Sequence, residues 1–252
     1  MAFSVSSFDR SFNYGDGIFT TMQVKAGQIQ LWPLHLARLQ YSANKLGFSV
    51  IDWASLEAEV MAAITEDSQV IKVLISRGEG GRGYSCLDVT APNIYISQAK
   101  LPNYTVWQQQ GISLGIAELK LAIQPALAGI KHTSRLEQVL VKQQLAETEF
   151  DELLVFNQLG YACEASAANV FFYQQQQWYT PCLKQAGVAG VMRQHLMQQL
   201  AVKQVNWTLP QLANVESMFI CNALMEIVPV QQFLLRSLDI TPVFSLIKRQ
   251  LC

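Results

Sequence analysis

At 252 residues the chain is long enough for one large or two modest domains, each with its own core. Half of the residues are hydrophobic, 15% are charged, and the formal net charge is -1, with Lys and Arg scattered singly. This excludes the basic footprint of a nucleic-acid binder. No apolar run approaches the ~20 residues that span a bilayer, and Met1-Ala2-Phe3-Ser4 lacks the basic and apolar stretches of an export signal. The expectation is a cytoplasmic protein with neither membrane nor nucleic acid as partner, its surplus apolar residues covered at a subunit interface. Cys86, Cys163, Cys182, Cys221 and Cys252 are odd in number and have no CxxC spacing, so reduced thiols are expected. His35, His132 and His195 stand at no metal-ligand spacing, and no metal site is expected.

In chain order, Asn13 to Gly17 reads as a turn cluster, followed by a hairpin of Ile18 to Lys25 and Gln28 to Trp32 joined at Ala26-Gly27. Pro33 suits a first helical position, and Leu34 to Leu46 reads as a helix closed by Gly47. Asp52 can cap a second helix running to about Glu66. Val70 to Ser76, Asn93 to Ser97 and Gly111 to Glu118 read as strands, which makes the N-terminal half α+β.

The stretch Leu119 to Gly129, with Pro125 and little periodicity, reads as linker. The expected division is a smaller α+β domain over 1–118, a linker over 119–125, and a larger domain over 126–252 that carries Lys131. Ser134-Arg135-Leu136-Glu137 has capping-box spacing, and Leu136, Val139, Leu140 and Leu145 form an apolar helical face. Strands then follow from Glu152 to Asn157, on to Phe172, and at Trp178 to Thr180. Gly190 opens a helix reaching about Val202, and Met218 to Cys221 reads as a late strand.

Four places could carry chemistry. Lys131 lies between a glycine-containing stretch and a helix start, where a desolvated lysine can stay neutral enough to form a Schiff base; the alternative is a surface lysine. Glu164 sits among small and apolar residues, so it needs a partner, either a protonated pyridine nitrogen or an ordinary cation. Gly187 to Arg193 puts glycines before a helix, which suits a phosphate or is a plain loop-to-helix junction. Arg38, three residues after His35 on one helical face, can bind phosphate in two-pronged fashion or stand exposed. A lysine, an acid and phosphate donors are together what pyridoxal 5'-phosphate requires of a protein.

The order of these elements resembles the fold-type IV pyridoxal-phosphate enzymes, which include branched-chain aminotransferases, D-amino-acid aminotransferases and aminodeoxychorismate lyases. The resemblance rests on Tyr14-Gly15-Asp16-Gly17-Ile18-Phe19, His35-Leu36-Ala37-Arg38-Leu39, Cys163-Glu164 through Phe171, Gly190-Val191-Met192-Arg193, and Glu226-Ile227-Val228-Pro229-Val230. It implies an α+β two-domain fold, with Lys131 as the cofactor-carrying lysine, Glu164 as partner of the pyridine nitrogen, and Arg38 as a phosphate ligand. Val191 and Met192 would add backbone N–H groups, and Asn222 and Ala223 would close on the phosphate.

Ile75 to Ser85 and Ala128 to Gln138 resemble the lyase branch. In D-amino-acid aminotransferases the corresponding loop carries an arginine and a histidine that trap the substrate carboxylate; here Arg82 is kept and Tyr84 takes the histidine position. Met192 replaces a hydroxyl residue that aminotransferases often have. The resemblance thus implies a homodimeric lyase turning 4-amino-4-deoxychorismate into 4-aminobenzoate and pyruvate for folate biosynthesis. The alternative is a D-amino-acid or branched-chain aminotransferase. Phe19 and Thr21 would line the substrate pocket from one strand face, Thr21 as a proton relay, and Arg82 would meet a carboxylate.

Overall fold

A computed structural model describes residues 4–89 and 91–250 of the chain, without the side chains of 249 and 250; the expectations on Met1 to Phe3 and on Cys252 lie outside the described residues. Backbone contacts divide the chain into two units, Met1–Pro102 with Ile130–Arg135, and Asn103–Gly129 with Leu136–Cys252.

The first unit opens with α1 (Arg10–Tyr14), capped by Asp9, whose Oδ1 accepts from the Ser11 and Phe12 amides at 2.8 and 3.2 Å. Then come β1 (Gly17–Lys25), β2 (Gln28–Ile29), α2 (Trp32–Lys45), α3 (Trp53–Ala62), β3 (Ser68–Ser76) and β4 (Asn93–Ala99). The strands form an antiparallel sheet in the order β2-β1-β3-β4. Ala26 and Gly27, with φ of 51° and 71°, make the two-residue turn that matches the twist of the β1–β2 hairpin.

Strand alternation sorts β1 into two faces. Ile18, Met22 and Val24 pack with Ile71, Val73 and Ile75 against Leu39 of α2 and Leu56 and Val60 of α3, while Phe19 and Thr21 on the other face are only half-buried. Gly47, at φ 65°, ends α2 as expected, and Asp52 caps α3 through the Ala54 and Ser55 amides at 3.1 Å each. The third helix stops at Ala62, short of Glu66, because Gln69 reaches back to accept from the Thr65 and Glu66 amides and turns the chain into β3.

The second unit contains α4 (Thr105–Gln110), β5 (Ile112–Leu121), α5 (Leu136–Leu145), β6 (Glu152–Asn157), β7 (Ala162–Ala165), β8 (Asn169–Gln174) and β9 (Gln177–Pro181). It continues with α6 (Val191–Gln199), β10 (Val202–Val205), α7 (Leu209–Leu212), β11 (Ser217–Asn222), β12 (Glu226–Phe233), β13 (Arg236–Ser237) and α8 (Thr241–Gln250). Its strands form one mixed sheet in the order β10-β9-β8-β11-β12-β5-β6-β7, with β13 on β12. The buried Phe171 and Phe219 rings stack at 4.6 Å across β8 and β11.

Three expectations are corrected. The division does not fall at 119–125, because β5 pairs with both β6 and β12 and so ties everything from Asn103 to the second unit. Lys131 belongs to the first unit, since Ile130–Arg135 returns to it. The Ser134–Glu137 capping box is not formed, because Ser134 Oγ donates to Gly15 O at 3.4 Å and Glu137 Oε1 accepts from the Ala122 amide at 2.8 Å. The apolar face read on α5 is largely open in the chain: Leu136 is 77% exposed and Val139 and Leu140 about half, while Val141 is buried.

Candidate active site

In the first unit, residues 130–135 run along the free edge at the start of β1. Phe19 N donates to Lys131 O at 3.0 Å, Thr133 N donates to Gly17 O at 2.9 Å, and Ile18 bridges His132. Arg135 fastens the segment from its own side, donating from Nε to His132 O at 2.8 Å and from a terminal nitrogen to Ile130 O at 3.1 Å. Lys131 Nζ lies 4.5 Å from the centroid of the Phe19 ring, and Lys72 Nζ lies 5.0 Å from the same centroid. Phe19 also lines a cavity of about 540 Å³ with Lys72, Leu74, Tyr95, Thr133 and Arg135. The neighbouring His132 is pushed down to about 4, by burial first and then by Arg135 and Lys131.

Behind β1, where strand alternation turns Thr20 towards α2, a second group assembles. Arg38 donates from a terminal nitrogen to Thr20 Oγ1 at 2.5 Å, and Thr20 Oγ1 lies 2.6 Å from His35 Nδ1. Thr20 and His35 are fully buried. Burial, and then the Arg38 charge, push His35 down to about 3, so the imidazole is neutral; burial lowers Arg38 only to about 10, so the guanidinium stays charged. Arg38 Nε is buried without a hydrogen-bond partner, and among the described residues no carboxylate pairs with this arginine. A guanidinium in that state has a donor to spare for an anion.

Asp16, just before β1, orders the loop after β3. Its Oδ2 accepts from Arg10 Nε at 2.9 Å and Arg77 Nε at 2.7 Å, and Arg10 then donates to the carbonyls of Tyr84 and Ser85 at 2.9 and 2.8 Å. Arg82 and Tyr84 lie on that loop with exposed side chains, Tyr84 meeting the Tyr14 ring edge-on at 5.3 Å. Neither lines the cavity at Phe19.

In the second unit, Glu164 on β7 is 5% exposed. Its Oε2 accepts from Val188 N at 2.7 Å, and Gln138 Nε2 donates to its Oε1 at 3.5 Å. Asn169 grips the following loop twice, donating to Val188 O at 2.8 Å and accepting from Gly190 N at 3.1 Å. Gly190 has no side chain with which to cap α6, and no side chain among the described residues caps this helix start, where the first amides are those of Val191 and Met192. A Cβ at Gly190 would stand 2.1 Å from Asn169 Oδ1, so with any other residue the asparagine or the loop would have to shift. Asn222 spends its side chain on the β11–β12 turn: Oδ1 accepts from the Leu224 and Met225 amides at 2.8 and 2.9 Å, and Nδ2 donates to Ala167 O at 3.0 Å. Ala223 follows in the same turn, partly exposed.

The structure thus places Phe19, Thr21, Arg38, Arg82, Tyr84 and Lys131 in the first unit, and Glu164, Val191, Met192, Asn222 and Ala223 in the second. The sequence reading passed over Thr20, Asn169 and Gln138. For Thr20 a signal existed: it is the one hydroxyl on an otherwise apolar β1 face that must meet α2, where His35 and Arg38 stand one turn apart.

The model of the class IV amino-transferase family matches residues 17–233. The chain is 39% identical to an aminodeoxychorismate lyase of Vibrio harveyi over 229 residues, covering 88% of this chain and 84% of the relative. A crystal structure of 4-amino-4-deoxychorismate lyase from Pseudomonas aeruginosa superposes with a TM-score of 0.94 at 31% identity, covering 100% of this chain and 95% of the other. A Mycobacterium tuberculosis hypothetical aminotransferase in its PLP-bound form shares the fold, with a TM-score of 0.85 at 18% identity over 98% and 92% of the two chains. From the glycine that opens β1 to the phenylalanine that closes β12, this chain belongs to the class IV aminotransferase family.

Proposed function

We propose that this protein is a pyridoxal-phosphate-dependent lyase that converts 4-amino-4-deoxychorismate to 4-aminobenzoate and pyruvate in folate biosynthesis. The observation that carries the reading is the 39% identity to the Vibrio harveyi lyase across most of both chains. The residues fit the cofactor: a partly buried arginine whose Nε is buried and unspent, a helix start without a side-chain cap, a buried carboxylate, and a lysine held by backbone and ring contacts.

Pyridoxal phosphate, when bound, supplies an aldehyde carbon and a ring that withdraws electrons from the substrate. Lys131 Nζ would hold it, and as a free amine would move the proton from the ring carbon that bears the substrate nitrogen. Glu164, anchored by Val188 N, would keep a proton on the pyridine nitrogen. Arg38, the amides of Val191 and Met192, and the turn at Asn222 and Ala223 would take the phosphate. Phe19 and Thr21 would orient the substrate ring, with Thr21 as proton relay, and Arg82 and Tyr84 on their exposed loop would meet a carboxylate. Loss of the enolpyruvyl group aromatises the ring, which drives the reaction.

The setting we propose is a cytoplasmic homodimer. Support comes from the exposed Leu136, Val139 and Leu140 of α5, an apolar row that a second subunit would cover. No helix among the described residues is long and apolar enough to cross a membrane.

Single-turnover assay of the cofactor-loaded protein with 4-amino-4-deoxychorismate should give equal amounts of 4-aminobenzoate and pyruvate, and Lys131→Ala should give neither. Absence of aromatic product from loaded wild-type protein would overturn the lyase reading. The family name favours an aminotransferase as second reading, which keto-acid formation from D- or branched-chain amino acids would reveal.

A further inference from the structure

Arg38 must meet two conflicting demands. Its charge needs partners in a buried site, yet a carboxylate partner would neutralise it and compete with any incoming anion. The structure resolves this with neutral groups. Thr20 Oγ1 receives one terminal nitrogen of Arg38 at 2.5 Å and is itself held by His35 Nδ1 at 2.6 Å, while Nε of the guanidinium is unspent. All three side chains spring from well-packed elements, Thr20 from the centre of β1 and the other two from one face of α2.

We propose that Thr20 and His35 form an uncharged clamp that fixes the guanidinium of Arg38 by one edge and keeps its Nε donor available for the cofactor phosphate. The inference rests on the cofactor reading above. Thr20 is a positioning residue, acting on the cofactor through Arg38. Neutrality is built in: a histidine that took up a proton here would repel the arginine, and burial keeps His35 neutral across the working pH range.

The clamp makes a prediction that general destabilisation does not, because it concerns the phosphate alone. The readout is the ratio of affinities of the apoprotein for pyridoxal 5'-phosphate and for pyridoxal, both followed by absorbance on binding. Thr20→Val keeps shape and removes the hydroxyl; it should lower the ratio about tenfold and leave pyridoxal affinity unchanged. Thr20→Ser, which restores the hydroxyl, should stay within about threefold of wild type. Arg38→Ala should lower the ratio at least as far as Thr20→Val.

If Arg38→Ala leaves the ratio unchanged, the phosphate reading of the site fails and the clamp fails with it. If Arg38→Ala lowers it and Thr20→Val does not, the clamp alone is refuted. Should Thr20→Val not fold, His35→Leu, which takes away the hydroxyl's own support, is measured instead. A drop of about threefold or more supports the clamp, and a wild-type ratio overturns it.

Discussion

Phe19 contacts Lys131 in two ways, through its amide, which donates to the lysine carbonyl at 3.0 Å, and through its ring, whose centroid lies 4.5 Å from Nζ. The backbone bond survives substitution by any residue that keeps its amide, but the ring contact does not. Phe19→Leu should leave the fold intact and slow product formation by about three- to tenfold, the worth of one such ring contact. Phe19→Tyr should remain near wild type. Stopped-flow assay of both variants checks this, and equal slowing in the two would remove the ring from the account.

Gly190 is pressed against Asn169 Oδ1, where a Cβ would come within 2.1 Å. Gly190→Ala must push the asparagine or the loop aside and misplace the first amides of α6. We expect pyridoxal 5'-phosphate affinity to fall by about ten- to a hundredfold, with a smaller loss for pyridoxal. Asn169→Ala should reproduce part of the effect by releasing the same loop. Equilibrium titration of the apoprotein reads both.

The histidines make stability depend on pH. His35 is held near 3 and His132 near 4, whereas both approach 6.5 when the chain unfolds. Between these values the unfolded chain binds more protons, so their contribution is complete above about pH 6.5 and is lost as pH falls towards 4. His35 alone accounts for about 1.4 kcal/mol per pH unit; His132, more open to solvent, contributes less. His195 is lowered too, by partial burial, and acts in the same direction. Urea midpoints measured from pH 7 to 5 should fall, and His35→Asn should flatten the slope. An unchanged slope in that variant would show that His35 takes up its proton at the same pH in the native and unfolded chains.

Asp16 accepts from both Arg10 and Arg77, and Arg10 in turn holds the carbonyls of Tyr84 and Ser85. Asp16→Asn leaves two largely buried guanidinium groups without their shared charge and should destabilise the protein by about 2–4 kcal/mol. The loop should loosen before the rest, so trypsin should cut after the exposed Arg82 several times faster than in wild type. Cleavage at unchanged rate would mean that the loop is held by other contacts.

What the sequence disclosed, and what it hid, follows the range of the forces involved. Gly47, Asp52 and the Ala26-Gly27 turn act within four residues, and each stands where its chemistry indicated. The domain division was hidden, because β5 looks like a strand of either half until its pairing with β12, more than a hundred residues away, is known. Pro229 concealed β12 itself, a strand paired on both sides despite the missing amide. The apolar row on α5 was legible as apolar, but periodicity reports a sticky face without saying what covers it, and Leu136, Val139 and Leu140 are exposed in the chain. Among the candidate residues, Arg38 was visible from its spacing to His35, but Thr20, which completes that group, required knowing which strand lies over the helix.

The chain leaves the first unit at Pro102, builds the second through Gly129, returns for Ile130–Arg135 and departs again. The six residues that come back include Lys131 and supply the edge partner of Gly17 and Phe19. A ribosome that has released only the first hundred residues has therefore not yet delivered the whole of this unit, and native edge pairing of β1 must wait for synthesis to pass residue 135. The same threading restricts inheritance: a gene cut at any single point between the two units would separate one of them from part of itself, so a single crossover cannot exchange the lysine together with the whole unit that holds it.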